Sequence, residues 1–417
     1  MDASPAGFMG HTFGGVIPLR GCTPGVVGPG FVKMLDMGER VVRLGDPKVA
    51  IIHDYLNQLG GAERVVGVLH EMFPSAPIYT LLVDPDKLWP TLRRARIIPS
   101  YLQKIGFVRR HFRLFFWLYP FVIRAFDLSH YDIVISSSSA YAKGVKVPKK
   151  GGGPLHVCYC HTPMRFAWNF GAYMENQGGG PAARFLAGLL VPLLRYWDVR
   201  TAKGVDVFMS NSSVVRDRIR NCYGRESTVV YPPVEVGPNQ DFSDGGLSQS
   251  QTGSYFLVVS RLVSYKAVDL AVRACSAAGW ELIVIGTGPD QARLMEGAGS
   301  CVKFLGWQTD EVVEEYMRGC LALIFPGCED FGLTPLEANL RGRPVVAFAA
   351  GGALDTIVSG VNGIFFDLQT PECLSDALCR VSRMHWEPQE IRRVAMKFGR
   401  DRFEKQVLGV IDVNRRS

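Results

Sequence analysis

The sequence lacks the marks of several common protein classes. None of its ten cysteines forms a Cys-x-x-Cys pair, and no second Cys/His pair follows Cys158 and Cys160 at zinc spacing. Neither a metal site nor a disulfide framework is therefore indicated. The thiols read as reduced and mostly buried, which points to a cytosolic chain. No apolar run reaches the roughly 18 residues that a membrane-spanning helix needs; the longest lie near Leu114 to Ile123 and Phe185 to Leu194. No repeat of solenoid period is visible. With 47% apolar and 20% charged residues the composition is that of a globular protein, so disorder is local at most.

Acidic residues are missing from one long stretch. Leu88 to Phe126 holds eight Lys or Arg and ten aromatics but no Asp or Glu. A basic, aromatic, amphipathic segment of this kind suits an anionic membrane surface. The same composition serves Arg stems that cover a core or a nucleic-acid face; the membrane reading is preferred, and nucleic acid is not expected as a partner. The chain as a whole carries a net charge of +7, which fits anionic partners without choosing among them.

At 417 residues there is room for two cores. Residues 1–46, rich in Gly and Pro, lack a basic region followed by an apolar core and cleavage site. They read as a flexible extension, with Met34 or Met37 as other candidate starts. Strand-like and helix-like segments then alternate, which predicts parallel sheets covered by helices. The first series comprises Val49 to His53, Ile78 to Val83, Ile133 to Ser136, His156 to Cys160 and Val207 to Ser210. The second comprises Tyr255 to Ser260, Glu281 to Ile285, Val302 to Leu305, Leu321 to Phe325, Val345 to Phe348 and Gly363 to Phe366. Asp241 to Ser254, dominated by Ser, Gly, Gln and Asp, marks the boundary. The reading is an α/β protein of two doubly wound, Rossmann-like domains, 47–240 and 254–397, facing across a cleft. A C-terminal helix, 398–417, returns to the first domain.

Chemistry gathers at the strand ends, where open parallel sheets bind ligands. Phe325-Pro-Gly-Cys-Glu-Asp-Phe-Gly-Leu-Thr-Pro-Leu-Glu337 runs from a strand through a loop into a helix. Thr334, Pro335 and Glu337 read as N-cap, first helical residue and capping-box acid, with helix N–H groups converging near Phe331 to Thr334 to form an anion site. Glu337 either caps its own helix or binds a ligand; Glu329, on the loop, has no capping role. Ser260-Arg-Leu-Val-Ser-Tyr-Lys266 supplies two cations at another strand end. Arg261 and Lys266 either bridge nearby acids such as Asp269 or, together with the helix start after Glu329, bind a diphosphate. Ile285-Gly286-Thr-Gly288 lets backbone approach a ligand or makes a tight turn, and lacks the third glycine of a dinucleotide fingerprint. In the first domain, His53 to Glu63 reads as strand, Gly60-Gly61 loop and helix start. His161 follows another strand. Asp84-Pro-Asp86 reads as a turn rather than a metal-binding motif, and the Asn211-Ser-Ser213 acceptor pattern is not expected to be used.

With these residues assembled, the chain from about Lys48 onward resembles the retaining glycosyltransferases of family 4, which have the GT-B fold. The resemblance rests on the loop Gly60 to Glu63, CHTPMR from Cys160 to Arg165, SRLVSYK from Ser260 to Lys266, and EDFGLTPLE from Glu329 to Glu337. It implies that Arg261 and Lys266 hold the donor diphosphate, that Glu337 receives the ribose hydroxyls and that Glu329 contacts the donor sugar. Backbone at Phe331, Gly332 and Leu333 would bind sugar and phosphate. Gly60 and Gly61 would approach from across the cleft, with Gly286 as a further contact. Leu305, in the loop Phe304 to Trp307, would border the base, and His161 would lie beside the reacting sugar. Ser260 and Ala267 stand where the family commonly has Gly and Gly or Arg.

Within the family the motifs look most like bacterial polysaccharide mannosyltransferases. This implies a retaining, metal-independent transfer of hexose, without a cofactor, from GDP-mannose to a lipid-linked saccharide acceptor. It also implies a peripheral location on the cytoplasmic face of the plasma membrane, in exopolysaccharide or O-antigen synthesis. The alternatives are a UDP-sugar transferase with a soluble acceptor, a nucleotide-sugar epimerase of the same architecture and a catalytically silent membrane-binding subunit.

Overall fold

Central strands of the first sheet begin with apolar runs such as Val49-Ala-Ile-Ile52 and Ile133-Val-Ile135, the pattern of a parallel sheet covered on both faces. The computed structural model describes residues 47–149, 152–168, 181–235 and 253–415, without the side chains of 181–187. The extension 1–46 and most of the boundary segment lie outside the described residues. The first sheet contains β1 (Val49–Leu56), β2 (Ile78–Val83), β3 (Ile97–Pro99), β4 (Ile133–Ser138), β5 (Leu155–Cys160), β6 (Val207–Ser210) and β7 (Thr228–Val229). Their spatial order is β3-β2-β1-β4-β5-β6-β7, all pairs parallel.

The second sheet contains β8 (Phe256–Val259), β9 (Leu282–Ile285), β10 (Val302–Gly306), β11 (Ala322–Phe325), β12 (Val345–Phe348) and β13 (Gly363–Phe366), in the order β10-β9-β8-β11-β12-β13. In both sheets the chain changes direction of travel once, between β1 and β4 and between β8 and β11. Such switch points open a crevice at the carboxyl ends of the strands. The expected pair of Rossmann-like domains is therefore present.

Alternation along β1 shows how each sheet is sealed. Val49 and Ile51 enter one core with the helix Gly61–Met72, whereas Ala50 and Ile52 enter the opposite core with Tyr119, Val122 and Leu194. The helix Arg400–Arg415 places Phe403, Val407 and Ile411 in the first of these cores and so packs on the first sheet. Full burial of each such side chain contributes about 1.5–3 kcal/mol.

Several expectations need correction. Strands β3 and β7 were not anticipated, being three and two residues long with partly exposed side chains. The basic aromatic stretch is not one amphipathic helix. It breaks into short turns and helices such as Gly106–Arg110 and Tyr119–Val122, because Pro90, Pro99 and Pro120 interrupt it. Part of it is core: Tyr119 is buried, and Phe112, Phe115 and Phe116 pack against its neighbours. Of the nine described cysteines, all unpaired, only Cys158, Cys160, Cys275 and Cys320 are buried, and Cys328 is exposed.

Candidate active site

At the second switch point, the loops leaving β8 and β11 meet. Lys266, in the turn after β8, forms an ion pair with Glu329, on the loop after β11; both side chains are largely buried but open to the crevice. Lys266 therefore pairs with Glu329 and not with Asp269. Arg261 is exposed and donates to the Tyr265 hydroxyl at 3.0 Å. The Tyr265 ring also lies under Lys266 and Arg165, at 5.6 and 5.5 Å, so one aromatic side chain touches three cations. Ala267 then takes φ 51°, a left-handed conformation that strains a residue with a Cβ. This is the position where the resemblance leads one to expect Gly or Arg. Gly286, at φ 129°, packs so tightly on Ser260 that no Cβ fits, so its immediate task is to seat the loop carrying Arg261.

The helix after β11 spans Leu333–Leu340 and is capped by Gly332 at φ 86°. Thr334 is thus not the N-cap, and Glu337 is not a capping-box acid. The positive φ of Gly332, which a Thr would adopt only under strain, starts the helix earlier than the Ser/Thr-based reading predicts. Glu337 instead forms an ion pair with Arg64, from the helix Gly61–Met72 of the first domain, and this charge raises the pKa of Arg64. Phe331 turns its ring away into a cluster with Tyr231 and Phe398, leaving backbone from Phe331 to Leu333 at the crevice. Leu305 is half-buried, its carbonyl accepting from Gln308 at 2.6 Å, and the neighbouring Trp307 is 68% exposed.

The first domain forms the facing wall. Gly60 is the N-cap of Gly61–Met72, and a side chain at Gly61 would press on Leu333 across the crevice. His161, just after β5, is buried; burial and the neighbouring His53 push its pKa down to about 3. Its Nε2 lies 2.8 Å from Ser137 Oγ. His53 Nδ1 lies 3.1 Å from both the Ser137 carbonyl and Oγ. Burial opposes a charge on His53, but Glu63, 3.8 Å from Nε2, and Asp54 outweigh it and raise its pKa. Asp54 accepts four backbone N–H groups, from Ser139, Ala140, Tyr141 and Ala142, and so fixes the turn after β4.

Contacts between the domains surround the crevice. Asp330, next to Glu329, binds Arg165 and Arg218 of the first domain. Asp355 accepts from the Ser213 amide and hydroxyl at 2.7 and 2.6 Å. Ser213 belongs to the glycosylation-like pattern, which serves here as a domain contact. Asp84 accepts from the Asp86 amide and pairs with Lys87 at 2.9 Å, so Asp84-Pro-Asp86 is a self-satisfied turn.

The residues that sequence reasoning passed over are Arg64, Ser137, Asp330 and Tyr265. A glutamate flanked by a second acid signalled Asp330, but Ser137 carries no local signal.

Comparison with known proteins bears on these two walls separately. Residues 59–237 match the model "Glycosyltransferase Family 4", and residues 240–398 match "Glycosyl transferases group 1". Each of the two domains is thus GT4-like by its own family match.

Solved GT-B structures carry the same fold. Anabaena Alr3699/HepE, in complex with UDP and glucose, superposes with a TM-score of 0.64 at 16% identity, covering 88% of this chain and 100% of that one. Sucrose-phosphate synthase from Thermosynechococcus elongatus gives 0.62 at 18%, covering 89% and 99%. Among curated proteins, glycogen synthase of Xanthomonas campestris is 27% identical over 281 residues, 64% of this chain and 51% of that protein. D-inositol 3-phosphate glycosyltransferase of a Nocardioides species is 25% identical over 288 residues, 61% and 60%. The chain thus spans about half the length of the first of these relatives.

Proposed function

We propose that this GT4-like chain transfers hexose from a nucleotide sugar to a lipid-linked saccharide, with retention and without a metal. The observation that carries the reading is the convergence of Lys266, Glu329 and the helix start at Leu333 on the β8/β11 switch point. A diphosphate in that crevice receives charge from Lys266 and Arg261 and hydrogen bonds from backbone at the helix start. Glu329 then turns to the sugar hydroxyls, and Glu337 exchanges Arg64 for the ribose.

A front-face route fits these groups. The acceptor hydroxyl forms its bond to the anomeric carbon on the side from which the diphosphate leaves, and its proton passes to a departing phosphate oxygen. Lys266, Arg261 and the helix terminus stabilise the charge growing on that oxygen, an effect commonly worth about 10²–10³ in rate for one well-placed donor. Protein cations thereby do the work that a divalent ion does in other transferases.

The acceptor side is supported by a cavity of about 820 Å³ at the carboxyl ends of β1 and β2, lined by Asn57, Lys87, Phe107, Arg109, Arg110 and Phe112. Asp84 and Asp86 share this wall and the charge of Arg109 acts on Asp84, so Arg110, without an ion pair among the described residues, is the cation left for an anionic acceptor. Phe107, Leu114, Trp117 and Phe121, each at least 47% exposed, offer an apolar rim to a lipid surface. No helix among the described residues is long and apolar enough to cross a membrane, so association would be peripheral and, in this reading, on the cytoplasmic face. GDP-mannose is the proposed donor. A UDP-hexose is the second reading, favoured by the UDP-glucose complex of the similar Anabaena protein.

Thermal shifts with GDP-, UDP- and ADP-sugars separate these donors, because a ligand bound to the folded state raises its melting temperature. The expected result is stabilisation by GDP-mannose, followed by α-linked product on a polyprenyl diphosphate saccharide that persists after exhaustive chelation. Absence of a shift with every donor contradicts the site; activity rescued only by manganese contradicts the metal-free route.

A further inference from the structure

The parallel register of β1, β4 and β5 sets His53 beside Ser137, and Ser137 beside the strand that ends before His161. The hydrogen-bond roles in this trio follow from geometry. The Ser137 carbonyl can only accept, and His53 Nδ1 lies 3.1 Å from it, so Nδ1 carries the hydrogen. That same N–H is 3.1 Å from Ser137 Oγ, which makes the hydroxyl an acceptor toward His53 and leaves its own hydrogen free. The free hydrogen has a nearby taker in His161 Nε2, at 2.8 Å.

We propose that Ser137 is a positioning residue for transfer: it donates to His161 Nε2 and so fixes the Nδ1–H tautomer of His161, leaving that N–H as the ring donor offered to the sugar in the crevice. The chain of contacts runs Glu63, His53, Ser137, His161, and it rests on the transferase reading only in its last step. Around His53 the charged and titratable groups are Glu63 from the helix Gly61–Met72, Asp54 from the end of β1 and His161 from the end of β5. Glu63 has one carboxylate oxygen engaged by Gln58 at 3.0 Å and the other buried without a partner. At 3.8 Å from Nε2, this acid acts on His53 through its charge. Asp54, by tying down residues 139–142, holds the turn that follows Ser137 at the end of β4.

Long-range ¹H–¹⁵N spectra of the full chain with ¹⁵N-histidine read the tautomer directly, the His161 signals being those lost in His161→Asn. The expected pattern at pH 7 is hydrogen on Nδ1 and a bare Nε2; hydrogen on Nε2 overturns the proposal whether or not the protein turns over. Ser137→Ala is expected to give mixed tautomers and to lower kcat about tenfold, with donor KM changed less than about twofold. His53→Leu should match that loss. His53→Asn, whose amide replaces the Nδ1 donor, should recover most of it. Wild-type turnover in Ser137→Ala, or equal loss in the Leu and Asn variants, overturns the role. Failure of the wild type to use any sugar donor would instead count against the transferase reading and leave the tautomer result standing.

Discussion

Among the described residues, each domain contains one lysine–carboxylate pair in a largely buried setting, and the two settings differ. Lys143 and Asp198, in the first domain, have side chains 2% and 0% exposed; Lys266 and Glu329, in the second, are 15% and 18% exposed. Asp198 also accepts from Trp168 Nε1 and the Tyr223 hydroxyl, both at 2.8 Å, and Lys143 lies against the rings of Trp197 and Tyr223. That pair is saturated and sealed, so nothing remains for a ligand. It ties the short helix Arg165–Trp168, just beyond His161, to the helix Pro181–Ala202. The Lys266–Glu329 pair faces the crevice with hydrogen-bonding capacity to spare. Identical chemistry is thus closed to a ligand where its valences are filled and open to one where they are not.

The largest effect is expected at the sealed pair. Asp198→Ala leaves Lys143 buried and unpaired and should lower the unfolding free energy by about 3–5 kcal/mol, read from urea transitions. A loss below about 1 kcal/mol would mean that the pair is not sealed in solution. At the open half the effect moves from stability to rate. Glu329→Gln and Lys266→Ala should each lower kcat about 10²–10³-fold and change the melting temperature little; turnover near normal would remove Glu329 from the site.

Acid should distinguish the domains next. His156 and His161 are both buried in the first domain, with pKa values of about 4 and about 3. Burial is the main cause in each case, with Lys149 adding to it at His156 and His53 at His161. Below the ordinary value of 6.5 the unfolded chain binds protons that the folded histidines refuse, so stability falls as pH drops from about 6.5 toward 4. Each histidine contributes about 2 kcal/mol of that loss between pH 7 and pH 5. His53 acts in the opposite sense: its raised pKa gives stability that is complete below 6.5 and is lost as pH rises through the folded value. Scanning calorimetry at pH 7 and pH 5 should show the first domain losing more than the second; equal losses would contradict the assignment. The smallest effect belongs to Ala267→Gly, which relieves the left-handed strain and should alter stability by less than about 1 kcal/mol. A large change there would mean that the β8 loop is held by something other than its own backbone.

The same contrast explains what was legible in the sequence. Glu329, Lys266 and the loops Gly60-Gly61 and Phe331 to Leu333 lie within short stretches at strand ends, where a local pattern names the element and its chemistry. The fold was legible for a related reason: runs such as Val345 to Phe348 announce buried parallel strands. What escaped depends on pairing between distant segments. Ser137 meets His53 only through the register of β1 and β4, and Glu337 meets Arg64 only after both domains have folded. The start of the helix at Leu333 escaped because a single positive φ at Gly332 overrides the Thr and Pro signals that follow it.

The β8/β11 crevice is proposed to bind a nucleoside diphosphate through Lys266 and Arg261. Isothermal titration of the full chain with GDP and with UDP, beside Lys266→Ala and Arg261→Ala, tests it most directly. The expected result is saturable binding of one diphosphate by the wild type and affinity weakened about tenfold or more in each variant. Equal affinity in all three proteins, or no binding of either nucleotide by the wild type, would contradict it.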